Sequence, residues 1–382
     1  MGLDLETREQ LIDMVRRFVT ERLRPLEAKV AEDDAMPPEV VEEMKGLGLF
    51  GLSIPEEYGG LDLSMEDECL VAVELGRTSP AFRSTFGTNV GIGSQGLVMF
   101  GSDAQKQKYL PGIASGEIIT SFALTEPEAG SDSANVQTRA ILDGDCYVLN
   151  GTKRYITNAN KADLFTVMAR SDPAKAGAGG VSAFLVERNL PGVSIGKPEQ
   201  TLGPQGAHIC DVIFDNVRVP VENRLGREGE GFKVAMQVLD RGRLHISAVC
   251  IGVAERLIKD SVEYASDRKQ FGQNLSQFQL VQGMIADCKT ESLAAKALTM
   301  ETARKRDAGE SVTMEAAAAK YFASEMVGRV ADKAVQIFGG AGYIAEYGIE
   351  RFYRDVRIFR IYEGTSQIQQ VVIARETLKR GG

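Results

Sequence analysis

Gly91-Ile92-Gly93-Ser94-Gln95-Gly96 reads "GIGSQG", and the reading of this hexapeptide decides the fold class. The pattern fits the G-x-G-x-x-G dinucleotide fingerprint. There the glycines join a buried strand to a helix, and the backbone approaches a pyrophosphate at the helix N-terminus. The flanks do not supply that setting. Upstream, "SPAFRSTFGTN" (Ser79–Asn89) is too polar and too broken for a buried parallel strand. The carboxylate expected ~20 residues on, at the end of a second strand, would fall in "GIASGE" (Gly112–Glu117), with no strand pattern before it. In a chain with 40 glycines a chance match is expected. A Rossmann site is excluded here, and any cofactor must be held elsewhere.

Outward from this point, residues Leu5 to about Lys108 are helical in pattern. "EQLIDMVRRFVTERLRPLEAKV" (Glu9–Val30) has apolar residues at three- and four-residue spacing, and breaks come at Pro37-Pro38 and "PEEYGG" (Pro55–Gly60). From about Ile118 to Val219 the texture changes to short β runs. "NVQTRAILDGDCYVLNG" (Asn135–Gly151) predicts a hairpin turning at Asp143-Gly144. "ADLFTVMA", "VSAFLVE", "GVSIGK" and "CDVIFDNVRV" follow as strands, with "PAKAGAGG" (Pro173–Gly180) as a flexible loop. After Gly231 come three stretches too long for isolated surface helices: Phe232–Arg268, Ser276–Arg306 and Thr313–Gly340. Such lengths suit a bundle. The expected fold is mainly α with a central β domain: a helical domain over 1–117, a barrel-like β domain over 118–225 and a C-terminal four-helix bundle over 226–382.

The 382 residues are 43% hydrophobic and 25% charged, ordinary for a globular protein of two or three domains. A net charge of −9 argues against nucleic acid or an anionic membrane as the main partner. No apolar run approaches the ~20 residues that span a bilayer. "MGLDLETREQLIDMVRRF" matches neither a signal nor a transit peptide. Five scattered cysteines (Cys69, Cys146, Cys210, Cys250, Cys288) without a C-x-x-C pair read as buried thiols in a reducing compartment. The two histidines, His208 and His245, lack ligand spacing, so neither a metal site nor a Ser-His-Asp triad is expected. The chemistry is left to carboxylates, arginines or a bound cofactor.

Five separated motifs combine: "FALTEPEAGSD" (Phe122–Asp132), "GTKRYITNA" (Gly151–Ala159), "DRKQFG" (Asp267–Gly272), "QIFGGAGY" (Gln336–Tyr343) and "IYEGTSQIQ" (Ile361–Gln369). In this order, and over essentially the whole chain, they closely resemble the acyl-CoA dehydrogenase family. The resemblance implies FAD held between the β domain and the bundle, with a neighbouring subunit completing the site. By motif match it places Phe122, Leu124, Thr125, Gly130 and Ser131 on the flavin or its pyrophosphate, with Ser131 also facing substrate. It places Tyr155 and Thr157 beside the isoalloxazine, Thr157 as the hydroxyl on N5. Arg268, Phe271, Gln279, Gln336 and Gly340 resemble contacts made across a dimer to the ADP half. Thr365 and Gln367 resemble the pair beside the base that touches the cofactor. The residue types suit a flavin, which needs hydroxyl and backbone donors, an aromatic wall and cations or amides for its diphosphate. Taken alone, "LTEPEAGSD" is equally a loop entering a β domain. The family usually has tryptophan where this chain has Tyr155, and the chain has no tryptophan.

The resemblance makes Glu363 the base that takes the α-proton of a thioester. A carboxylate shut in with a flavin and an acyl chain would have a raised pKa by desolvation. Taken alone, it is equally an acid ahead of a helix that Thr365 can cap. Some family members carry the acid on the first long helix of the bundle, where this chain has Gly242 in "LDRGRLH". That glycine makes room there or permits close helix packing. Asp240, Arg243 and Tyr362 resemble residues lining the acyl-CoA site, while His245 reads as a packed or capped histidine. "FYRDVRIFR" (Phe352–Arg360) reads as bundle packing. "FRS" at Phe82–Ser84 resembles the "YRS" of glutaryl-CoA dehydrogenases, in which the arginine receives a distal carboxylate. Arg83 is then an anion receptor; its alternatives are an internal ion pair or a surface position. Those enzymes carry an acid at the position of Gly76, so decarboxylation is in doubt.

The activity implied is FAD-dependent α,β-dehydrogenation of an acyl-CoA to its trans-2-enoyl-CoA, with electrons passing to an electron-transfer flavoprotein. The expected protein is a homotetramer (a dimer of dimers) of a bacterial-type cytoplasm, or of the mitochondrial matrix for a processed eukaryotic chain. Oxidase, monooxygenase, decarboxylase or desulfinase chemistry on the same fold is the alternative. A non-catalytic helical scaffold is the rival of another class.

Overall fold

The computed structural model describes residues 2–381. Seven helices come first: α1 (Leu5–Phe18), α2 (Glu27–Asp33), α3 (Pro38–Gly46), α4 (Met65–Leu75), α5 (Pro80–Val90), α6 (Gln95–Phe100) and α7 (Asp103–Ser115). Helices α1 to α5 pack around Leu23, Phe50, Phe82 and Phe86, while α6 and α7 turn Leu97, Tyr109 and Leu110 toward the sheet. Ser102 and Gln105 start α7 with a capping box, which satisfies orphan N–H groups at its first turn. Gly91–Ser94 of "GIGSQG" form the turn between α5 and α6, Gln95 and Gly96 open α6, and the glycines serve close packing. A Cβ on Gly93 would collide with the Thr120 side chain and lie 2.8 Å from the Thr88 carbonyl oxygen.

The chain then forms β1 (Thr120–Ala123), β2 (Arg139–Asp143), β3 (Cys146–Thr157), β4 (Leu164–Arg170), β5 (Val181–Glu187), β6 (Val193–Ile195), β7 (Ile209–Pro220) and β8 (Arg224–Leu225). They make one sheet ordered β6-β7-β3-β2-β4-β5-β8, with β1 parallel to β4. Residues from β1 through β7 meet in a single cluster around Tyr147, Phe165 and Phe184, so the sheet curls around its own core. Strands β4 and β5 are apolar on both faces because Leu164, Met168, Ala183 and Leu185 face the helices instead. The hairpin turns one residue later than the sequence suggests. Asp143 pairs with Cys146, so Gly144-Asp145 is the two-residue loop and Gly144 takes the left-handed φ of 64°.

The last third holds α8 (Gly231–Asp267), the short strands β9 (Lys269–Gln270) and β10 (Gln273–Asn274), α9 (Gln279–Asp307), α10 (Thr313–Phe338), α11 (Ile349–Asp355) and α12 (Ser366–Arg380). Helix α8 has 37 residues, ~55 Å at 1.5 Å each. Its first turns (Val234, Ala235, Val238) pack on the sheet and its middle (Leu244 to Leu257) forms the bundle core with α4, α9 and α10. Phe352, Val356 and Phe359 belong to that core, so "FYRDVRIFR" is bundle packing. The five cysteines are free, and all but Cys146 are buried. Among the described residues no helix is long and apolar enough to cross a membrane.

Candidate active site

The loop after β1 is built around a buried ion pair. Lys153 of β3 is fully buried; its Nζ donates to Glu126 Oε1 (2.7 Å) and to the Leu124 carbonyl (3.1 Å). Glu126 also accepts from the backbone N–H groups of Gln137 (2.5 Å) and Thr138 (2.9 Å). One lysine and one glutamate therefore fix both ends of the segment that carries Thr125, Gly130 and Ser131. Burial pulls Lys153 down to about 8, while Lys153 and the backbone donors hold Glu126 below its ordinary value despite burial, so the pair is ionised at neutral pH.

Strand β3 closes the other side. Arg154 N–H donates to the Thr125 carbonyl (2.8 Å) and Ser121 Oγ to the Thr157 carbonyl (2.7 Å), so the ends of β1 and β3 are locked together. An irregularity between Lys153 and Ile156 breaks the β3–β7 register, and Tyr155 there has φ 58°. A bulge of this kind re-aims a side chain, and the Tyr155 ring stands 55% exposed. Phe122 and Leu124 are buried beneath. The hydroxyls of Thr125, Ser131 and Thr157 have no partner among the described residues, and a Cβ on Gly130 would meet open space. Unspent donors beside an outward aromatic ring fit a flavin, which needs both.

Glu363 lies where the bundle meets the N-terminal helices, near Ile92 and Arg83. Its backbone takes φ 53° and Gly364 follows at φ 89°. A non-glycine residue held there costs ~1–3 kcal/mol and persists only where its surroundings fix it. Two side chains supply the fixing. Lys320 Nζ donates to the Gly364 carbonyl (2.7 Å), and Gln369 Nε2 donates to the carbonyls of Glu363 (3.1 Å) and Gly364 (3.0 Å). Thr365 caps α12 by accepting from the Ile368 N–H at 3.2 Å.

The strained turn aims the Glu363 carboxylate at α8. A Cβ on Gly242 would lie inside 3.0 Å of Glu363 Oε2 and 3.2 Å from its Cδ, with Ile92 of the "GIGSQG" turn next nearest at 3.4 Å. Gly242 therefore makes room for the carboxylate. Glu363 Oε2 is buried and has no hydrogen-bond partner among the described residues. Burial pushes its carboxyl up; Arg83, then Lys320 and Arg243, oppose this. Burial likewise raises Tyr362 and pulls Lys320 down to about 8. Arg243 is buried and pairs through Nη1 with Asp240 Oδ1 (2.6 Å), whose Oδ2 accepts from Thr313 Oγ1 (2.8 Å).

Arg83, on α5, is half-buried and makes no ion pair with an acid among the described residues. Its Nε donates to His245 Nε2 at 2.9 Å. Gly76 leaves no space for a side chain, because a Cβ there would run into the Val249 carbonyl and sit 3.0 Å from Gly252 Cα.

The structure thus gathers Arg83, Asp240, Arg243, Tyr362 and Glu363 at one place and Phe122, Leu124, Thr125, Tyr155 and Thr157 at another. Arg268, Phe271, Gln279, Gln336 and Gly340 instead lie at one end of the bundle, around the Tyr264–Phe338 ring stack (4.1 Å). No hydrogen bond or ion pair among the described residues joins them to the β-domain group. Gln367 is exposed on α12. Lys153, Glu126, Lys320, Gln369 and Glu68 do not emerge from sequence reading. The one available signal is a lysine embedded in apolar helix, "EAAAAKYFA" at Glu315–Ala323.

Models of the acyl-CoA dehydrogenase N-terminal, middle and C-terminal domains match residues 5–117, 121–217 and 229–378. Acryloyl-CoA reductase (NADH) of Anaerotignum propionicum is 42% identical over 378 residues, 98% of this chain and 95% of that protein. A chain solved with the electron transferring flavoprotein of Acidaminococcus fermentans superposes with a TM-score of 0.95 at 39% identity, covering 99% of this chain and 100% of that one. Butyryl-CoA dehydrogenase of Megasphaera elsdenii gives a TM-score of 0.95 at 36% identity, with 99% and 100% covered. The chain belongs to the acyl-CoA dehydrogenase family. It is an oxidoreductase whose cofactor is FAD.

Proposed function

We propose that the protein removes the α-proton and β-hydride of an acyl-CoA thioester to give the trans-2-enoyl-CoA, with Glu363 as the base. One observation carries this reading: a buried carboxylate oxygen without a hydrogen-bond partner, presented by a strained turn into space kept open by Gly242. A group so held has a raised pKa and an unoccupied lone pair, as proton abstraction next to a thioester requires. When bound, FAD supplies the two-electron acceptor for the hydride lost from the β-carbon. Thr125, Ser131 and Thr157 would hold it with their free hydroxyls, Tyr155 would wall it, and Thr365 and Gln367 would meet it from α12. Asp240, Arg243, Tyr362 and Ser131 line the thioester. The exposed Phe271 (94%) and Tyr343 (84%), with Arg268, Gln279, Gln336 and Gly340 nearby, support a homotetramer whose partner subunit meets the ADP half of the cofactor. An electron-transfer flavoprotein takes the electrons.

Arg83 makes the preferred substrate one with an anionic group at the far end of the acyl chain. Its guanidinium stays charged and offers a planar fork to a carboxylate or sulfinate. It is held in the pocket of Glu363, on which it is the largest opposing charge. The test is an anaerobic screen of straight-chain and ω-anionic acyl-CoAs for bleaching of bound flavin, with the enoyl-CoAs run against reduced enzyme. Bleaching by thioesters in wild type but not in Glu363→Gln supports the assignment. Equal bleaching in both overturns it.

A further inference from the structure

His245 of α8 is the joint of a three-helix relay. Its Nδ1 lies 2.6 Å from Glu68 Oε1 on α4, and its Nε2 lies 2.9 Å from Arg83 Nε on α5. Arg83 Nε can only donate, so Nε2 must accept; the ring proton is therefore on Nδ1 and is donated to Glu68. The other oxygen of Glu68 takes Arg241. Burial works against the Glu68 charge, but Arg241 and His245 outweigh it and hold the carboxyl at about 2. Burial, then the Arg83 charge, keeps the imidazole below its ordinary value despite Glu68, which favours the neutral ring the geometry requires.

The far side of Arg83 is fixed as well. Its guanidinium lies across Gly87, one turn along α5, where a Cβ would come within 2.7 Å of Cζ, 2.8 Å of Nε and 2.9 Å of Nη1. With Nε tied to His245, the two Nη groups remain without a hydrogen bond among the described residues.

We propose that Glu68 and His245 are positioning residues for Arg83: the neutral imidazole holds the guanidinium by its Nε edge so that the Nη fork is preset for the distal anion of the acyl chain. This rests on Arg83 being the anion receptor described above. A free arginine would lose rotamer freedom on binding; one anchored beforehand has already lost it, and the difference appears as preference for the anionic substrate.

The experiment uses the flavin-loaded enzyme and two thioesters, glutaryl-CoA and hexanoyl-CoA. Each is scored by the ratio of its flavin-reduction rate to its dissociation constant. Arg83→Met should abolish the glutaryl preference. His245→Phe should lower it roughly tenfold or more, the worth of a hydrogen bond to a charged group, with hexanoyl-CoA little changed. His245→Gln should restore it to within about threefold, because its amide can accept from Arg83 and donate to Glu68. If wild type shows no glutaryl preference, or Arg83→Met leaves it intact, the anion reading fails and this proposal with it. If Arg83→Met abolishes the preference but His245→Phe keeps it, or His245→Gln fails to restore it, the positioning role alone is wrong. Should His245→Phe yield no flavin-loaded protein, Glu68→Leu, which removes the acceptor of the Nδ1 proton, carries the same comparison, with the same fall expected. An independent readout comes from nitrogen NMR of the two histidines, His245 being assigned by its loss in His245→Gln. A neutral ring protonated on Nδ1 at pH 7 is expected, and an imidazolium would overturn the proposal.

Discussion

Gly242→Ala separates stability from chemistry at this site. Position 242 is inside α8, where alanine is favoured over glycine by ~1 kcal/mol. The added Cβ would sit inside 3.0 Å of Glu363 Oε2 and 3.2 Å from Cδ, against 3.4–4 Å for ordinary contact. The obstructed atoms are the free end of a side chain, so the carboxylate moves and the helix does not. Restoring ordinary contact takes a shift of roughly 1 Å, and a misplacement of that size in a reacting group costs on the order of 10²-fold in rate. The assay is anaerobic stopped-flow reduction of bound flavin by the best acyl-CoA, with thermal melting and flavin content measured alongside. The expected result is a rate ~10² lower, unchanged flavin content and a melting midpoint equal to or above wild type. In a Glu363→Gln background the same substitution should cost little more. A rate within threefold of wild type, or an undiminished loss without the carboxylate, would refute the reasoning.

Because burial raises Glu363 and the base acts ionised, flavin reduction should rise with pH through a pKa above the usual ~4.3 of glutamate; Glu363→Gln should lose ~10²–10⁴-fold, and a midpoint at or below that ordinary value would contradict this. Lys153→Met leaves Glu126 charged and buried, so denaturant titration of the holoprotein should show a loss of ~3–5 kcal/mol, and flavin should be retained less well in gel filtration. Asp355 is buried with both carboxylate oxygens lacking a hydrogen-bond partner among the described residues, and burial raises it from 3.8 to about 7. Its contribution to stability is full below pH 3.8 and is lost as pH rises through about 7. Asp355→Asn should therefore raise the melting midpoint more at pH 8 than at pH 5; an equal gain at both would exclude titration of Asp355 as the cause.

The fold was legible where spacing repeats. The long 3.6-period stretches after Gly231 and the alternation around Asn135–Gly151 carry their structure locally, and the polar flanks of "GIGSQG" were enough to reject a dinucleotide site. The hairpin loop came out one residue late because the Asp-Gly pair attracts the turn, whereas Gly144 alone takes the left-handed conformation. The supports of the site were not legible. Lys153, Glu126, Lys320 and Gln369 act through backbone carbonyls and N–H groups brought close only by tertiary packing. A lysine amid alanines at 320 signals that something unusual is buried, without saying what it holds. From sequence alone His245 is a packed or capped histidine. What that reading lacked was its partners: Glu68 and Arg83 lie far away in sequence, on two other helices.

Three cations around Glu363 work against a base, since each favours the ionised carboxylate and weakens its pull on a proton. The hydrogen bonds resolve the conflict. Arg83 is engaged by His245, Lys320 by the Gly364 carbonyl and Arg243 by Asp240. None of the three bonds to Glu363 Oε2. The cations act on it through their field alone, which falls off gently with distance, while a charge-assisted hydrogen bond would occupy the lone pair the reaction needs. Burial pushes the carboxyl up further than the three charges pull it down, and its net shift is upward. Glu363 is thereby left with a raised pKa and a free lone pair to accept a proton, and the strained turn that isolates it from those donors is the structural condition for both.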